Sequence, residues 1–195
     1  MKTIARREVL AAGRVKGSMM AAHIRWVLDK RTPDEIKRFW SMLPAEVDPS
    51  VRGMILPIQW YNMSDLMAVD RTIVNLFGRG RPDILREIGA HSAETNLRGV
   101  YKVFTRASVH DFLRNAAGLH RNFQDFGTVA FEQTGARSAK MIHSGYTCYS
   151  PLFCESALGY YSAAVALHGV DDPSVVETFC QCRGEETCTF VIRWR

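Results

Sequence analysis

The sequence lacks any apolar run of the roughly 18 residues that a membrane-spanning helix requires, so we expect no membrane span. It also lacks a secretory leader pattern, because Glu8, Arg14 and Lys16 interrupt the only candidate apolar segment near the start. The net charge of +5 is scattered, without the clustered basic face that nucleic-acid-binding proteins present. These absences predict a cytoplasmic protein without a nucleic-acid partner.

Common catalytic motifs are missing as well. The chain contains no Gly-x-Ser-x-Gly turn, no phosphate-binding glycine-rich loop and no His-Glu-x-x-His pair. The short Gly78-Arg-Gly80 segment indicates only a turn. We therefore expect a binding or signalling protein in preference to an enzyme, and the question of catalysis stays open.

The chain does have enough apolar material for one hydrophobic core. Of its 195 residues, 47% are hydrophobic and 23% are charged, and this length suits one domain better than two. Residues 1–16 are basic and weakly patterned, which predicts a flexible tail. Residues 17–195 are then predicted to form a single α+β domain.

Hydrophobic periodicity predicts a mostly helical first two-thirds of the chain. A helical pattern opens at Gly17, and Thr32-Pro33-Asp34-Glu35 predicts a second helix start with a capping box. Further helices are predicted over residues 59–77, 83–95 and 107–122.

The pattern changes near Phe126. Alternation predicts strands over residues 128–133 and 136–143, a helix follows over 151–168, and residues 175–195 are predicted to form a hairpin. This order predicts a helical bundle packed on an antiparallel sheet of about four strands.

All five cysteines lie in the C-terminal quarter of the chain. An odd number of cysteines in a protein expected to be cytoplasmic favours metal binding over a disulfide framework. Soft thiolates near a carboxylate favour zinc, which prefers four tetrahedral ligands. Because Glu177 and Cys180 point to opposite faces of a regular strand, a shared metal requires a bulge or a strand end. Free buried cysteines are the alternative interpretation.

Two motifs in this region resemble a known family. Cys154-Glu-Ser-Ala-Leu-Gly159-Tyr160-Tyr-Ser162 is followed by Glu177-x-x-Cys180-x-x-x-Gly184-Glu-x-x-Cys188-x-Phe190. Together they resemble the 4-vinyl-reductase-type sensor domain, which supplies the effector-binding domains of phenol- and xylene-responsive bacterial transcriptional activators. The resemblance covers residues 100–195.

The resemblance implies a structural zinc ion. Its ligands would be Cys154, Glu177, Cys180 and Cys188, the residues that match the family's motif. Cys148 and Cys182 have no counterpart in that motif, so the ligand set stays open.

The upstream half is similar to a group of myxobacterial proteins of the same superfamily. The matching text is Val15-Lys-Gly17-Ser18, Trp60-Tyr61, Gly89-Ala-His-Ser92-Ala and the closing segment from Cys188 to Trp194. That superfamily also contains haem-based nitric-oxide sensors and the subunits of the TRAPP tethering complex. The resemblance implies a homodimer.

Haem is the rival cofactor, with His110, His120 and His143 as candidate axial ligands. However, the Tyr-x-Ser-x-Arg motif of the nitric-oxide sensors is absent, because Tyr160-Tyr-Ser162 is followed by two alanines. The sequence therefore favours structural zinc and disfavours haem.

The resemblance to phenol sensors also implies a pocket between the sheet and the helices for a small apolar or aromatic ligand. Its predicted lining residues are Phe104, His110, Phe112, Phe131, Tyr160 and Tyr161. Ordinary core packing of the same aromatic residues is the alternative interpretation.

Three functions follow from these observations. The favoured one is a zinc-stabilised small-molecule-binding or signalling domain, dimeric in the manner of its superfamily, that acts through a protein partner. The second is a protein–protein adaptor without a small ligand, like the TRAPP subunits, with a dimer surface that includes Trp26 and Trp40. The third is an enzyme that acts on a tetrapyrrole or a related apolar molecule.

Overall fold

The computed structural model describes residues 7–10, 13–98 and 108–195, and within these ranges the chain forms seven α-helices and six β-strands. The helices are α1 (Gly17–Lys30), α2 (Pro33–Met42), α3 (Pro49–Arg52), α4 (Met63–Leu76), α5 (Ile84–Arg98), α6 (Val109–Leu119) and α7 (Pro151–Ala166). The strands are β1 (Arg14–Lys16), β2 (Trp60–Asn62), β3 (Thr128–Gly135), β4 (Ser138–Ser144), β5 (Ser174–Phe179) and β6 (Thr187–Arg193).

The four C-terminal strands form one antiparallel sheet in the order β3-β4-β6-β5. Alternate residues of β4, namely Ala139, Met141 and His143, are buried beneath the helices. This period of two is what a strand with one covered face requires. The predicted α+β architecture, with helices packed on an antiparallel four-stranded sheet, is confirmed.

Helices α5 and α7 pack closely because each contributes a glycine that lies against the backbone of the other helix. A Cβ atom on Gly89 would lie 1.9 Å from the carbonyl oxygen of Ser156, and one on Gly159 would lie 1.9 Å from that of Arg86. The contact joins two hydrophobic clusters, one built on the N-terminal helices and the other on the sheet. Among the described residues, none of the helices has the length and apolarity to cross a bilayer.

The capping box predicted for α2 is present. The Glu35 backbone N–H donates to Thr32 Oγ1 at 3.4 Å, and the Thr32 backbone N–H donates to Glu35 Oε2 at 2.9 Å. These hydrogen bonds hold the pKa of Glu35 below its ordinary value. Pro33 occupies the first turn, where its missing N–H leaves no hydrogen bond unmade.

Two predicted boundaries are wrong. Residues 14–16, predicted as the end of the flexible tail, form β1, in which Val15 is fully buried and pairs with Tyr61. The same pairing takes Trp60–Asn62 out of the helix predicted over residues 59–77. Residues 1–6 and 11–12 of the predicted tail lie outside the described residues.

The prediction that Trp26 forms part of a dimer surface is also wrong. Trp26 is 2% exposed, and its ring packs beside Phe77 and beneath the guanidinium of Arg31. Trp40 is half-buried, with its ring edge against Phe39 at a centroid distance of 4.9 Å. Helix periodicity places both tryptophans on helices but does not show that the face of Trp26 turns inward.

Candidate functional site

A cavity of about 160 Å³ lies where α1, α5, α6 and α7 meet strands β3 and β4. Its volume resembles that of the engineered apolar cavity of about 150 Å³ that admits benzene. Most of the wall is apolar. The polar side chains on it are His23, Ser92, Asn96, His120, Gln124, His143, Ser156, Tyr160 and Tyr161.

The structure brings only part of the predicted pocket to this cavity. Phe112, Tyr160 and Tyr161 lie on its wall. His110 and Phe131 do not lie on its wall: their ring centroids are 6.2 Å apart, and that of His110 is 4.9 Å from that of Trp194. The reason is that α6 turns His110 towards the first residue of β4, where its Nε2 lies 3.3 Å from the Ser138 carbonyl oxygen. Phe104 lies outside the described residues.

His143 is the centre of a buried hydrogen-bond network beside the cavity. Its Nδ1 lies 2.9 Å from the Tyr146 hydroxyl, and its Nε2 lies 2.8 Å from the Tyr161 hydroxyl. Burial, together with the nearby His120, lowers the pKa of His143 to about 3, so the ring is neutral at pH 7. A neutral imidazole has one donor and one acceptor, so one tyrosine accepts from it and the other donates to it. The sequence indicated His143 only as a candidate haem ligand.

A second buried polar group joins three helices at the cavity. His23 of α1 places its Nδ1 2.7 Å from Asp70 Oδ1 on α4, and its Nε2 lies 3.5 Å from Ser156 Oγ on α7. All three side chains are buried, and His23 and Ser156 lie on the cavity wall. Sequence reasoning missed this group because no motif spacing links residues so far apart along the chain.

The predicted metal ligands lie together at the N-terminal end of α7. Cys154, Glu177, Cys180 and Cys188 offer one ligand atom each, and these atoms all lie within 4.8 Å of one another. The Cys154 Sγ lies 3.8 Å from that of Cys180 and 4.0 Å from that of Cys188. The spacing required a bulge or a strand end, and both are present: the β5–β6 register shifts between Glu177 and Phe179, and β5 ends at Phe179, before Cys180.

The electrostatics of this cluster suit a cation. Burial raises the pKa of Glu177 to about 7, and its Oε1 has no hydrogen-bond partner among the described residues. Hydrogen bonds from Cys154, Cys182 and Cys188 lower the pKa of the Cys180 thiol, which favours a thiolate there. A buried unpaired oxygen beside a thiolate is a costly arrangement that a bound metal ion relieves.

The two cysteines without a counterpart in the motif differ in position. Cys182 is buried, and its thiol is one of the groups that lower the pKa of Cys180. Cys148 lies apart from the cluster, near Gly13 and Phe126, and burial raises its pKa to about 11. Cys148 is therefore an ordinary buried thiol and serves as a natural control for the cluster.

No protein-family profile and no curated protein sequence matches the chain. Solved structures do match it. They include an Fe(II) unliganded H-NOX protein mutant from K. algicida (14% identity, TM-score 0.68, 92% of this chain and 96% of that chain). An H-NOX protein from S. oneidensis in the Fe(II)NO ligation state gives 13% identity and a TM-score of 0.67, with 92% of this chain and 99% of that chain covered. A structure described as probing haem distortion in the H-NOX family gives 14% identity and a TM-score of 0.71, with 92% and 95% covered. At this identity the likeness shows a shared fold.

These comparisons correct the predicted cofactor. The sequence favoured zinc and disfavoured haem, but the solved structures that share the fold are described in terms of haem distortion and Fe(II). The prediction was wrong because it relied on the missing Tyr-x-Ser-x-Arg motif. A short motif reflects only a few side-chain contacts with a cofactor. The fold depends on how the helices and the sheet pack, so it can be shared when the motif is absent.

A porphyrin at this cavity would require an axial ligand, room for its macrocycle and cations for its propionates. The first requirement is met, because His23, His120 and His143 lie on the wall. The second and third are not met in the arrangement described. The cavity of about 160 Å³ is smaller than typical ligand pockets of about 300–1,000 Å³, and its described lining contains neither lysine nor arginine.

Proposed function

We propose that this chain is a small-molecule sensor domain that binds a one-ring aromatic molecule and passes a ligand-dependent change to a protein partner. The observation that carries the proposal is the cavity of about 160 Å³ between the helices and the sheet. The fold supports it as well, since one similar structure is described as an oxygen-binding H-NOX domain related to soluble guanylate cyclases.

The wall of the cavity favours a ligand with one polar donor. Phe112, Leu97 and Phe153 supply apolar surface for a ring. Gln124 also lies on the wall, and its Oε1 is buried without a hydrogen-bond partner among the described residues. Other polar side chains on the wall, among them Asn96 and His120, carry amide and imidazole groups that hydrogen-bond a ligand hydroxyl. Phenol therefore suits the cavity better than benzene does.

Helix α1 links the cavity to an exposed surface. It carries Met19 and His23 on the cavity wall, and its first residues, Gly17 and Ser18, donate backbone hydrogen bonds to the Gln59 and Pro57 carbonyls. The loop between α3 and β2, residues 53–59, exposes three large apolar side chains. Met54 is 79% exposed, Leu56 46% and Ile58 84%. Clustered exposed apolar residues are typical of protein interaction sites. We propose that the partner protein binds at this loop. A second copy of the chain is one such partner.

We further propose that Cys154, Glu177, Cys180 and Cys188 hold a thiophilic metal ion that fixes α7 to the β5–β6 hairpin. With metal–sulfur bonds of about 2.3 Å, tetrahedral sulfurs lie about 3.8 Å apart, and the observed separations are 3.8 and 4.0 Å. Four protein ligands leave no open coordination position, so the ion would have a structural role. The five free cysteines support a reducing compartment, for which we propose the cytoplasm.

Thermal unfolding with and without phenol tests the cavity. At a phenol concentration of tenfold Kd, binding stabilises the folded chain by about 1.4 kcal/mol, which raises the Tm by about 3–6 °C. Ala116→Phe fills the cavity from α6 and should abolish the shift. Asn115→Phe places the same ring on the exposed side of α6 and should preserve it.

Two results would overturn the assignment. One is a wild-type Tm that neither phenol nor benzene changes at any concentration used. The other is stoichiometric haemin binding with an absorbance band that is lost in His120→Ala or His143→Ala, since these histidines lie on the wall. If phenol and benzene leave the Tm unchanged but the chain binds a protein partner through the exposed loop, the adaptor function is favoured.

A further inference from the structure

We infer that Ser156, His23 and Asp70 form a nucleophile, a general base and an orienting carboxylate, and that the chain hydrolyses small esters in the cavity. The inference uses the same cavity as the proposed sensor function but adds a reaction to it. A hydrolytic triad is recognised by the geometry and the roles of its members and not by their order along the chain. The order here is base, carboxylate and nucleophile.

The pairing of His23 with Asp70 fixes which ring nitrogen of the imidazole faces the carboxylate. Nδ1 lies 2.7 Å from Asp70 Oδ1, and the two residues are 3% and 0% exposed. Because a carboxylate only accepts, Nδ1 carries the hydrogen, and the lone pair of the neutral ring lies on Nε2. Nε2 is the atom that faces Ser156 Oγ.

The Ser156 contact has the separation expected of a resting site. The distance of 3.5 Å between Oγ and Nε2 exceeds the 2.6–3.2 Å of a catalytic hydrogen bond. Such contacts are often longer without substrate and shorten when it binds. Ser156 and His23 both lie on the cavity wall, so an ester carbonyl in the cavity has access to the nucleophile.

The second oxygen of Asp70 argues against a purely structural role. Asp70 Oδ2 is buried and has no hydrogen-bond partner among the described residues. A buried carboxylate with an unpaired oxygen destabilises the fold relative to an apolar residue of similar volume. The same negative charge stabilises the imidazolium that forms when His23 accepts the serine proton.

We assign the oxyanion donors to two residues of α5 on the same cavity wall as Ser156. Ser92 and Asn96 lie one turn apart on the cavity wall, and Asn96 Nδ2 donates to Ser92 Oγ at 3.3 Å. The Asn96 amide has a second N–H, and the Ser92 hydroxyl also carries a hydrogen. Side-chain amides and hydroxyls serve as oxyanion donors in other acyl-transfer enzymes.

The reaction needs no cofactor. Ser156 Oγ attacks the carbonyl carbon while His23 Nε2 takes the hydroxyl proton. The bond to the leaving alcohol then breaks, and that oxygen receives the proton from His23. Water attacks the acyl-serine with His23 again as base, which releases the carboxylic acid and restores Ser156. A cavity of about 160 Å³ limits the substrate to a short acyl ester of a one-ring alcohol.

Hydrolysis of p-nitrophenyl acetate by the full chain tests the inference. We expect a burst of nitrophenolate and a rate that falls at least about a hundredfold in Ser156→Ala and in His23→Gln, since general-base catalysis contributes that much. Ser162→Ala removes a half-buried hydroxyl from the same helix outside the cavity wall and should leave the rate unchanged.

A second measurement does not depend on any variant remaining folded. Diisopropyl fluorophosphate should add one phosphoryl group to the wild-type chain, and peptide mapping should place it on Ser156. A wild-type rate in folded Ser156→Ala would overturn the inference, and so would an unlabelled Ser156 in folded wild-type protein. A phenol-dependent Tm shift without hydrolysis would overturn the triad alone and leave the sensor function intact.

Discussion

Replacing Gly89 with alanine should force α5 and α7 apart. The new Cβ would lie 1.9 Å from the Ser156 carbonyl oxygen and 2.8 Å from the Tyr160 backbone nitrogen. Both are backbone atoms of a helix, so no side-chain rotation relieves the contact. Since unstrained contacts need roughly 3.5 Å, the two helices must separate locally by roughly 1.5 Å.

The magnitude follows from two opposing effects. Overpacking a well-packed interior costs about 1–3 kcal/mol, and a backbone clash lies towards the upper end of that range. Alanine recovers up to about 1 kcal/mol over glycine in a helix interior. We therefore expect Gly89→Ala to lower the free energy of unfolding by about 2 kcal/mol, which corresponds to a Tm lower by about 4–8 °C.

Gly118→Ala is the matched control. Gly118 is an exposed residue of α6, and a Cβ atom there would meet no heavy atom within 4 Å. This substitution should raise the Tm by about 2–4 °C, because only the helix propensity changes. Thermal unfolding followed by circular dichroism measures both. A Gly89→Ala chain as stable as the wild type would refute the close packing of α5 and α7.

Two further predictions concern the metal cluster and His143. Cys188→Ser should reduce the metal content from about one ion per chain to near zero by elemental analysis, whereas Cys148→Ser should retain it, and wild-type protein without metal would contradict the site. Below its ordinary pKa of 6.5 the unfolded chain protonates His143, while the folded ring stays neutral down to about 3. The free energy of unfolding should therefore fall by about 1.4 kcal/mol per pH unit from this residue as the pH drops below 6.5. Urea unfolding between pH 4 and 8 measures the slope, and a slope unchanged in His143→Gln would contradict the assignment.

Local chemistry explains why part of the fold was predictable. The α2 helix begins where Thr32 and Glu35 exchange hydrogen bonds, and both residues lie within four positions of each other. The alternation of buried and half-buried residues in β4 likewise follows from one covered face, and it is visible in the sequence of that segment alone. The need for a bulge or a strand end between Glu177 and Cys180 followed from strand geometry alone, and the register shift and the end of β5 are both present.

Contacts between distant segments explain what was missed. The pairing of Val15 with Tyr61 joins residues 46 positions apart, and neither segment has the length that strand patterns need. The cavity was predicted from aromatic residues of the C-terminal half, but α1 contributes Met19 and His23 to its wall. Asp70 has no sequence signal of its own, because a buried partner for a histidine is defined only once α1 and α4 pack.

Helix α7 connects the three candidate sites mechanically. Within two turns it carries Cys154 of the metal cluster, Ser156 beside His23, and Tyr161 of the His143 network. Gly89 and Gly159 bring this helix against the backbone of α5, which restricts its rotation. A metal ion at Cys154 would fix that first turn, and with it the positions of Ser156 and Tyr161 on the cavity wall. Occupancy of the metal cluster should therefore change the affinity of the cavity for phenol, although no metal ligand lies on the cavity wall.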